Sequence, residues 1–576
     1  MTSTYYELVK ENAIEREDLT ARQDADVLLR NLKAYVMKSF DGKTPVEGVF
    51  NQTLNRPKVM SSFIIAALGN TSEQIIVETE ERNLDTDYIK DFRRLAFAAA
   101  NIRLLRQGLW ELNPYLDEQS CIRGGAAARP LFRKVNDVLI SDITYWDYRY
   151  VNYEIGTEGT VWASFGYGTK RKKAAIESEE WAKELKAKGK DKAICNIAKE
   201  AEIVDIWTPE HNEIWLDGKE VFEQPHPYKW PDGTRYCPVV IQNVPLGSML
   251  SDKDDIKHQN ESIFFLIREA IPELERLVTI IQTQAFLTLY PSIEIASKEG
   301  GKIDPETLPE YDKLMRPKAV SGADIGGGTR IISQGDANRA AMMAMERMDR
   351  NMNEGGFIPR QLDSPAPSGI ALIIEKEGKD VIYLPRLKLK SSMKTALGDM
   401  FTAQVIQLGG TVEIGTPGHK REFETNKLKG QYEVTHKFSV TSLATNAGLA
   451  SLAAAYGNLI SDRAKRRDIL QREDPDGDER WLSYEEARRT IPAIRFAGWA
   501  EDLIALEKDE YAKMIADFAG VQLEQLLSGN AQMPKPEVGK EPTQVLSLFG
   551  GGVGRGRRPK LPQEPPAEEV GKNVET

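Results

Sequence analysis

Apolar residues in the first 115 positions recur at three- and four-residue steps, the spacing of one face of an α-helix. The pattern is clearest in "DADVLLRNLKAYVMKSF" and "DYIKDFRRLAFAAANIRLLRQGLWEL". From about residue 120 to 245, short runs rich in β-branched and aromatic residues take over, as in "GTVWASFGYG". "WLDGKEVF" predicts a β-hairpin with Asp-Gly at its turn. These patterns together predict an α+β protein whose first region, residues 1–261, is helical and β-rich.

One segment inside the β-rich region is dominated by charge. "KRKKAAIESEEWAKELKAKGKDKAICNIAKEAE" alternates lysine and glutamate with few apolar residues. Such a pattern is typical of a solvent-exposed helix. We therefore expect a charged surface helix here.

Two longer helical patterns follow. Apolar residues from Ile263 onward predict a helix over 262–290, and Pro272 within it predicts a kink near Arg268. "GDANRAAMMAMERMDRNMNE" predicts a second helix over 336–354. The residues expected to pack along these helices are Ile267, Ile271, Leu274, Val278, Ile281, Met345, Met348 and Met352. If the helices run antiparallel, the Gly/Pro-rich segment 291–335 between them is a small β-containing tip; a methionine-rich core in a monomeric bundle is the alternative.

"GGFIPRQLDSPAPSGIAL", residues 355–372, interrupts the helical pattern. Gly355 and Gly356 allow the chain to leave a helix, and three prolines restrict the loop that follows. Ser368 is a candidate N-cap for a further helix, which Pro385 is expected to kink or split. A β-hairpin completes region 369–442, residues 443–528 are again helical, and the Pro/Gly-rich tail 529–576, with "GRGRRPK", is expected to be disordered.

Composition narrows the range of functions that the chain can have. The formal net charge of −11 argues against a protein that coats nucleic acid through bulk positive charge. Cys121, Cys195 and Cys237 follow no disulfide or zinc spacing, which favours a reducing compartment. The charged N-terminus and the absence of a run of about 18 apolar residues predict neither a signal peptide nor a membrane span. We therefore expect a soluble intracellular product.

Catalytic signatures are missing from the sequence. There is no GxxxxGK[ST] phosphate loop, no HExxH pair and no GxSxG elbow, and the five histidines are scattered. We therefore expect no catalytic residues, no metal site, no cofactor and no enzymatic activity. Carboxylate pairs are abundant enough that a metal-dependent nucleic-acid enzyme remains an alternative.

The order of these elements resembles the portal proteins of tailed bacteriophages, the head-to-tail connectors. "DDIKHQNESIFFLIREAIPELERL" and "GGFIPRQLDSPAPSGIAL" carry the resemblance, which covers roughly residues 45–528. It implies a wing from 1–261 and 369–442, a two-helix stem from 262–290 and 336–354, and a clip at 291–335. It also implies a tunnel loop at 355–368 and a helical crown at 443–528.

The resemblance implies a ring of about twelve subunits at one capsid vertex, through which double-stranded DNA is packaged and ejected. The implied partners are the major capsid and scaffolding proteins, the large terminase subunit and a head-completion or tail adaptor protein, with no membrane. The implied location is the virion, and the host cytoplasm during assembly. The alternatives from related classes are another ring-forming virion connector and a scaffold without a DNA role.

Two sets of residues acquire roles through the resemblance. Arg360 is the only base of the loop and Asp363 its only acid, so a ring of such loops would hold phosphate weakly. The implied DNA-channel loop comprises Gly355, Gly356, Phe357, Ile358, Pro359, Arg360, Gln361, Asp363, Pro365 and Pro367. The implied clip contacts for the terminase or adaptor are Glu306, Glu310, Asp312 and Lys313.

Overall fold

A computed structural model describes residues 4–39, 41–81, 84–135, 138–250, 252–289, 293–296, 328–331, 337–356, 369–439, 491–505 and 508–527, with scattered positions between 453 and 490. The chain divides into two compact units. The larger comprises Met1–Ser461 with Asp468–Glu473, and the smaller comprises Asp462–Arg467 with Asp474–Thr576.

The larger unit mixes helices and sheets, so the prediction of a mixed α/β protein is confirmed at that level. Its helices are α1 (Tyr5–Glu15), α2 (Glu17–Arg30), α3 (Arg56–Gly69), α4 (Thr86–Arg106), α5 (Leu112–Ile122), α6 (Lys173–Ser178), α7 (Glu180–Ala187), α8 (Lys192–Cys195), α9 (Lys253–Ile256), α10 (Ala270–Leu289), α11 (Ala337–Gly356) and α12 (Gly369–Leu408). Strand β1 (Ser72–Thr79) lies among the N-terminal helices.

The remaining strands of the larger unit are β2 (Gly125–Val135), β3 (Val138–Trp146), β4 (Val151–Gly156), β5 (Gly159–Phe165), β6 (Lys170–Lys172), β7 (Glu200–Trp207), β8 (His211–Leu216), β9 (Lys219–Pro225), β10 (Val240–Asn243), β11 (Ile293–Ala296), β12 (Gly328–Ile331), β13 (Thr411–Thr416), β14 (His419–Glu424) and β15 (Tyr432–Ser439). They form antiparallel sheets in the orders β10-β2-β3 and β4-β5-β7-β8-β9, where β6 also pairs with β7. Three further pairs are β1-β15, β11-β12 and β13-β14.

The largest core lies where α4 and α12 pack against β2, β3 and the strands that follow α12. Phe92 of α4, Phe401 of α12 and Phe423 of β14 are fully buried there. Strand β1 reaches this core by pairing with β15, which follows it by more than 350 residues, in the register Ile75↔His436. The N-terminal helices and the segment after residue 369 therefore build one folding unit.

The hairpin predicted at "WLDGKEVF" is confirmed. Strands β8 and β9 are antiparallel neighbours, and the turn residues Asp217 and Gly218 have φ values of 47° and 76°. Two consecutive positive φ angles are the requirement of a type I′ turn, which Asp-Gly meets at low steric cost.

The long helix predicted over 262–290 begins later, at Ala270. Residues before it, from 257 to 269, form turns rather than a continuous helix. Pro272 consequently lies in the first turn of α10, where a backbone N–H has no partner within the helix. The kink predicted near Arg268 is therefore wrong, and proline helps to start the helix instead.

Pro385 does not split its helix either, because α12 runs through it for 40 residues. Ile382 and Leu387, on the two sides of the proline, are both buried in the same cluster. Burial of side chains on both sides of the proline supports one continuous helix despite the lost backbone hydrogen bond.

The charged segment after β5 also differs from the prediction. Residues 170–172 form strand β6, and the rest folds as three short helices, α6 to α8. Ile176, Leu185 and Ile194 are buried against β7, β8 and β9. The many lysines and glutamates obscure, in the sequence, a sparse set of apolar residues that packs on one side of the sheet.

The smaller unit is described mainly by three helices, α13 (Pro492–Ala505), α14 (Asp509–Phe518) and α15 (Leu523–Leu527). Ala500, Ala516 and Leu526 form its small core. The predicted tail at 529–576 lies outside the described residues.

Candidate functional site

Helices α10 and α11 pack against each other, and strands β11 and β12 form an antiparallel pair between them in sequence. Ile271 and Leu274 at the start of α10 are buried, and Met345 and Met348 from the middle of α11 pack on the same cluster. Strand β11 follows α10, β12 precedes α11, and the two strands pair antiparallel, which brings the end of α10 near the start of α11, as in an antiparallel helix pair. Ile267 is buried in the turn just before α10.

Exposure changes along the pair. Val278 and Ile281 of α10 are only half-buried, as are Met345 and Met348 of α11. The side chain of Met352 lies outside the described residues, although its backbone belongs to α11. The chain therefore leaves both sides of the predicted seam partly uncovered.

A polar ladder on α10 holds an extended segment of the N-terminal region. Its side-chain acceptors are one helical turn apart, and they receive alternate backbone N–H groups of the segment. The bonds run from Phe50 to Thr283 Oγ1 (3.0 Å), from Gln52 to Thr279 Oγ1 (3.1 Å) and from Leu54 to Glu275 Oε1 (3.0 Å). Four-residue spacing on the helix thus matches two-residue spacing on an extended chain.

The segment just before α10 is anchored by largely buried ions. Arg268 makes a two-bonded contact with Asp26 of α2 (2.7 and 3.0 Å) and also contacts Glu261 (2.7 Å). Arg22 lies 3.4 Å from Glu261 and donates to backbone carbonyls in residues 257–260. Burial alone would lower the pKa of Arg268, but its bonds to Asp26 and Glu261 raise that pKa above its usual value.

Helix α12 carries three buried cations at four-residue spacing: Arg386, Lys390 and Lys394. Lys390 lies 2.9 Å from Asp117 of α5, and both side chains are only 2% exposed. Arg386 donates to the carbonyl of Ile382, and burial lowers its pKa. These contacts connect α12 to α5, and through Lys394 to β1.

Glu73 of β1 provides the carboxylate that pairs with Lys394. Both of its oxygens accept from Lys394 Nζ at 2.6 Å, and His436 Nδ1 lies 2.8 Å from Oε1. Burial opposes the charge on Glu73, yet the hydrogen bond from His436 and the charge of Lys394 lower its pKa to about 2. Burial lowers the pKa of His436, so this ring is held neutral and donates through Nδ1.

Replacing Glu73 with glutamine is expected to lower the free energy of unfolding by about 2 kcal/mol at pH 7. The folded pKa lies below the unfolded one, so the wild-type carboxylate contributes its full stability above pH 4.5 and loses it as pH falls toward 2. The difference between variant and wild type should therefore shrink over that window in urea titrations. Glu78→Gln, on the same strand but opposite Glu433 rather than a base, should cause no loss. An equal loss at pH 7 and pH 3 would contradict a charge-based role.

The loop residues implied by resemblance are only partly described. Gly355 and Gly356 are the last residues of α11, and α12 begins at Gly369. Phe357, Ile358, Pro359, Arg360, Gln361, Asp363, Pro365 and Pro367 lie outside the described residues, as does Ser368. Glu306, Glu310, Asp312 and Lys313 of the implied clip also lie outside them.

The structure adds residues that the sequence patterns did not single out. Asp26, Glu261 and Arg268 look like ordinary surface charges in sequence, and Glu73 gives no signal of its own. The one available signal was the polar series Glu275, Thr279 and Thr283, whose four-residue spacing marks a second helix face.

Further features of the part of the chain that is described concern metal-ligating side chains, thiols and long apolar helices. There, no three His, Cys, Asp or Glu side chains come together in an arrangement that could hold a metal ion. The thiols of Cys121 and Cys237 are buried, and burial raises the pKa of each to about 12. None of the described helices is both long and apolar enough to cross a membrane.

No protein-family model matches the chain, and no curated protein matches it. Among solved structures, it is similar to a chain in the neck of an empty GTA particle with C6 symmetry (12% identity, TM-score 0.36, covering 72% of this chain and 90% of that one). It is also similar to chains in the neck of a native GTA particle with C12 symmetry (13%, TM-score 0.35, 72% and 89%) and in the virion of a native gene transfer agent particle (13%, TM-score 0.36, 72% and 89%).

Proposed function

We propose that this chain is a portal-type head-to-tail connector, which forms a ring around an axial channel for double-stranded DNA. One observation carries the proposal: α10 and α11 are an antiparallel pair anchored at one end, followed within a dozen residues by the 40-residue helix α12. The pair would be the stem, β11 and β12 the start and end of the clip, and residues 357–368 the tunnel loop.

The anchoring contacts would hold a stem helix at a fixed angle while DNA moves through the ring. Buried ion pairs and the polar ladder fix the base of α10 to the N-terminal region on two sides. The half-buried methionines of α11 would be covered by a neighbouring stem, since methionine adapts to imperfect contacts.

The net negative charge of the chain also supports a role as a channel for DNA. A net charge of −11 disfavours tight retention of DNA, because each strong phosphate contact raises affinity and slows sliding. The loop would present one Arg360 per subunit to the duplex, a weak and repeated contact. With no phosphate loop in its sequence, the chain would depend on a motor partner for the energy of packaging.

The full proposal is a ring of about twelve copies at the unique capsid vertex. Capsid and scaffolding proteins would surround it, the large terminase subunit would dock on the clip during packaging, and a head-completion or tail adaptor would replace the terminase. We propose no enzymatic activity and no cofactor.

The test is electron microscopy of the purified protein together with native mass spectrometry. We expect closed rings of about a dozen subunits with an axial opening wide enough for a DNA duplex. A protein that stays monomeric at all concentrations, also when co-expressed with its scaffolding and capsid proteins, would overturn the proposal.

A further inference from the structure

An exposed apolar knob projects from the C-terminal end of α4. Leu105, Leu109 and Trp110 are 53%, 44% and 60% exposed, within six consecutive residues. Exposed apolar groups clustered in this way mark interaction sites, and tryptophan is among the commonest interface anchors. We call these three residues the knob.

The knob is rigid. Gly108, at φ 76°, closes α4 with hydrogen bonds from Leu109 N–H to Leu104 O (2.9 Å) and from Gly108 N–H to Leu105 O (3.0 Å). This pattern is a Schellman motif. Tyr145 Oη donates to the carbonyl of Trp110 at 3.0 Å, which holds the turn from the sheet side. A preformed knob loses little conformational freedom when it binds.

An apolar groove of about 470 Å³ lies between the end of α2, the segment after it and the first turn of α10. This volume is in the range of protein pockets that hold a compact apolar group. Leu28 and Val36 in its wall are each 44% exposed. Its main apolar lining is Leu28, Leu32, Tyr35, Val36, Pro57 and Pro272.

Leu32 in this groove has a strained backbone. Its φ is 52°, at the position that closes α2 with bonds from Leu32 N–H to Leu29 O and from Lys33 N–H to Leu28 O. Glycine is the usual residue there, and a leucine in the left-handed region is disfavoured. The large side chain at this position lines the groove, which makes Leu32 the candidate contact residue on the groove side.

The knob and the groove lie at opposite ends of one rigid element. The knob directly precedes α5, whose 11 residues span about 16 Å. At the other end of α5, Arg123 donates to the carbonyl of Gln23 (3.2 Å) and pairs with Asp24 (3.3 Å), beside the first groove residue, Ala25. A subunit therefore cannot fill its own groove, whereas a second copy can.

The acid that follows Trp110 is complementary in charge to the mainly basic groove. The knob is flanked by an exposed acid, Glu111, and an exposed base, Arg106. The groove is lined by four basic residues, Lys33, Lys38, Arg268 and Arg276, and by one acid, Glu275. A lysine over the face of an inserted indole would add a cation–π contact.

We propose that the knob of one copy inserts into the groove of the next copy, with Trp110 as its anchor. Two different surfaces then meet, which makes the contact head-to-tail, and repetition of such a contact closes a ring when the rotation allows it. This inference rests on the proposed ring and names the contact that builds it.

Cross-linking tests the geometry directly. In a Cys195→Ser background, which removes the exposed thiol, Gln107→Cys marks the knob and Ala34→Cys marks the groove while the apolar anchors are kept. Under mild oxidation, a mixture of the two proteins should give covalent dimers, and neither protein alone should. Dimers from one variant alone would indicate a two-fold contact and overturn the head-to-tail arrangement.

Association measurements test the anchors. Trp110→Ser and Leu32→Gly should each weaken assembly at least about 30-fold in sedimentation experiments. Leu32→Gly should leave the melting temperature unchanged or higher, because it removes the strain at φ 52°. Met249→Ser, at a 96% exposed methionine on another loop, is the matched control and should leave assembly unchanged.

The outcomes separate the two proposals. Closed rings without a mixed cross-link would overturn this contact and leave the connector proposal standing. A mixed cross-link in open chains without rings would support the contact and overturn the channel. A protein that neither assembles nor cross-links would contradict both the connector proposal and the knob–groove contact.

Discussion

Replacing Asp117 with alanine is expected to lower the free energy of unfolding by about 4 kcal/mol, which is a large part of the stability of a typical domain. Lys390 would keep its buried position on α12, 2% exposed, without the carboxylate that now lies 2.9 Å from it. A lone buried charge is far less favourable than a paired one. Urea unfolding followed by circular dichroism measures the change.

Two controls isolate the cause. Asp117→Leu combined with Lys390→Met removes both charges and should recover most of the loss, because an apolar pair of similar volume needs no partner. Asp87→Ala breaks the exposed pair with Lys90 and should change stability by less than about 0.5 kcal/mol. A loss below about 1 kcal/mol for Asp117→Ala would mean that water reaches Lys390 and replaces the carboxylate.

Replacing residues 357–366 with a Gly-Ser linker of equal length is expected to leave ring assembly intact and to abolish stable DNA packaging. The linker removes Pro359 and Pro365, two of the three prolines that would hold the loop in position, and the one base, Arg360, that would touch phosphate. The described anchors of α10 and α12 lie outside the replaced segment. Packaged DNA is measured as nuclease-resistant genome per particle, and assembly by electron microscopy.

The same linker placed at residues 532–541, in the predicted disordered tail, is the matched control and should package DNA normally. Rings that fail to form in the loop variant would show that the loop is part of the assembly contact. Normal packaging in that variant would remove the loop from the proposed mechanism.

The two changes probe connected parts of the molecule. Helix α12 starts directly after the loop and is tied to α5 by Lys390 and to β1 by Lys394. A displacement of the loop would therefore act on the main core, because α12 is not free to move independently of α5 and β1. The buried cations of α12 give this long helix a fixed register, since sliding by one residue would separate every pair.

The sequence determined the local features of this protein. Apolar periodicity located helices such as α4 and α11, and Asp-Gly located the β8–β9 hairpin, because these signals arise from neighbours along the chain. The sequence-based predictions were wrong where packing between distant residues outweighs local conformational preferences. Pro385 stays within α12 because buried residues on both sides hold the helix, and the charged segment after β5 hides Ile176 and Leu185 against a sheet.

Only the tertiary structure decided the long-range partners. The pairing of β1 with β15, the match of Glu73 to Lys394 and the joining of Asp26 to Arg268 connect residues separated by some 240 to 370 positions. No periodic pattern encodes such a pair, because a carboxylate that will be buried and one that stays in water are the same residue in sequence. Burial and partner distance give these charges their energies, and both exist only once the chain has folded.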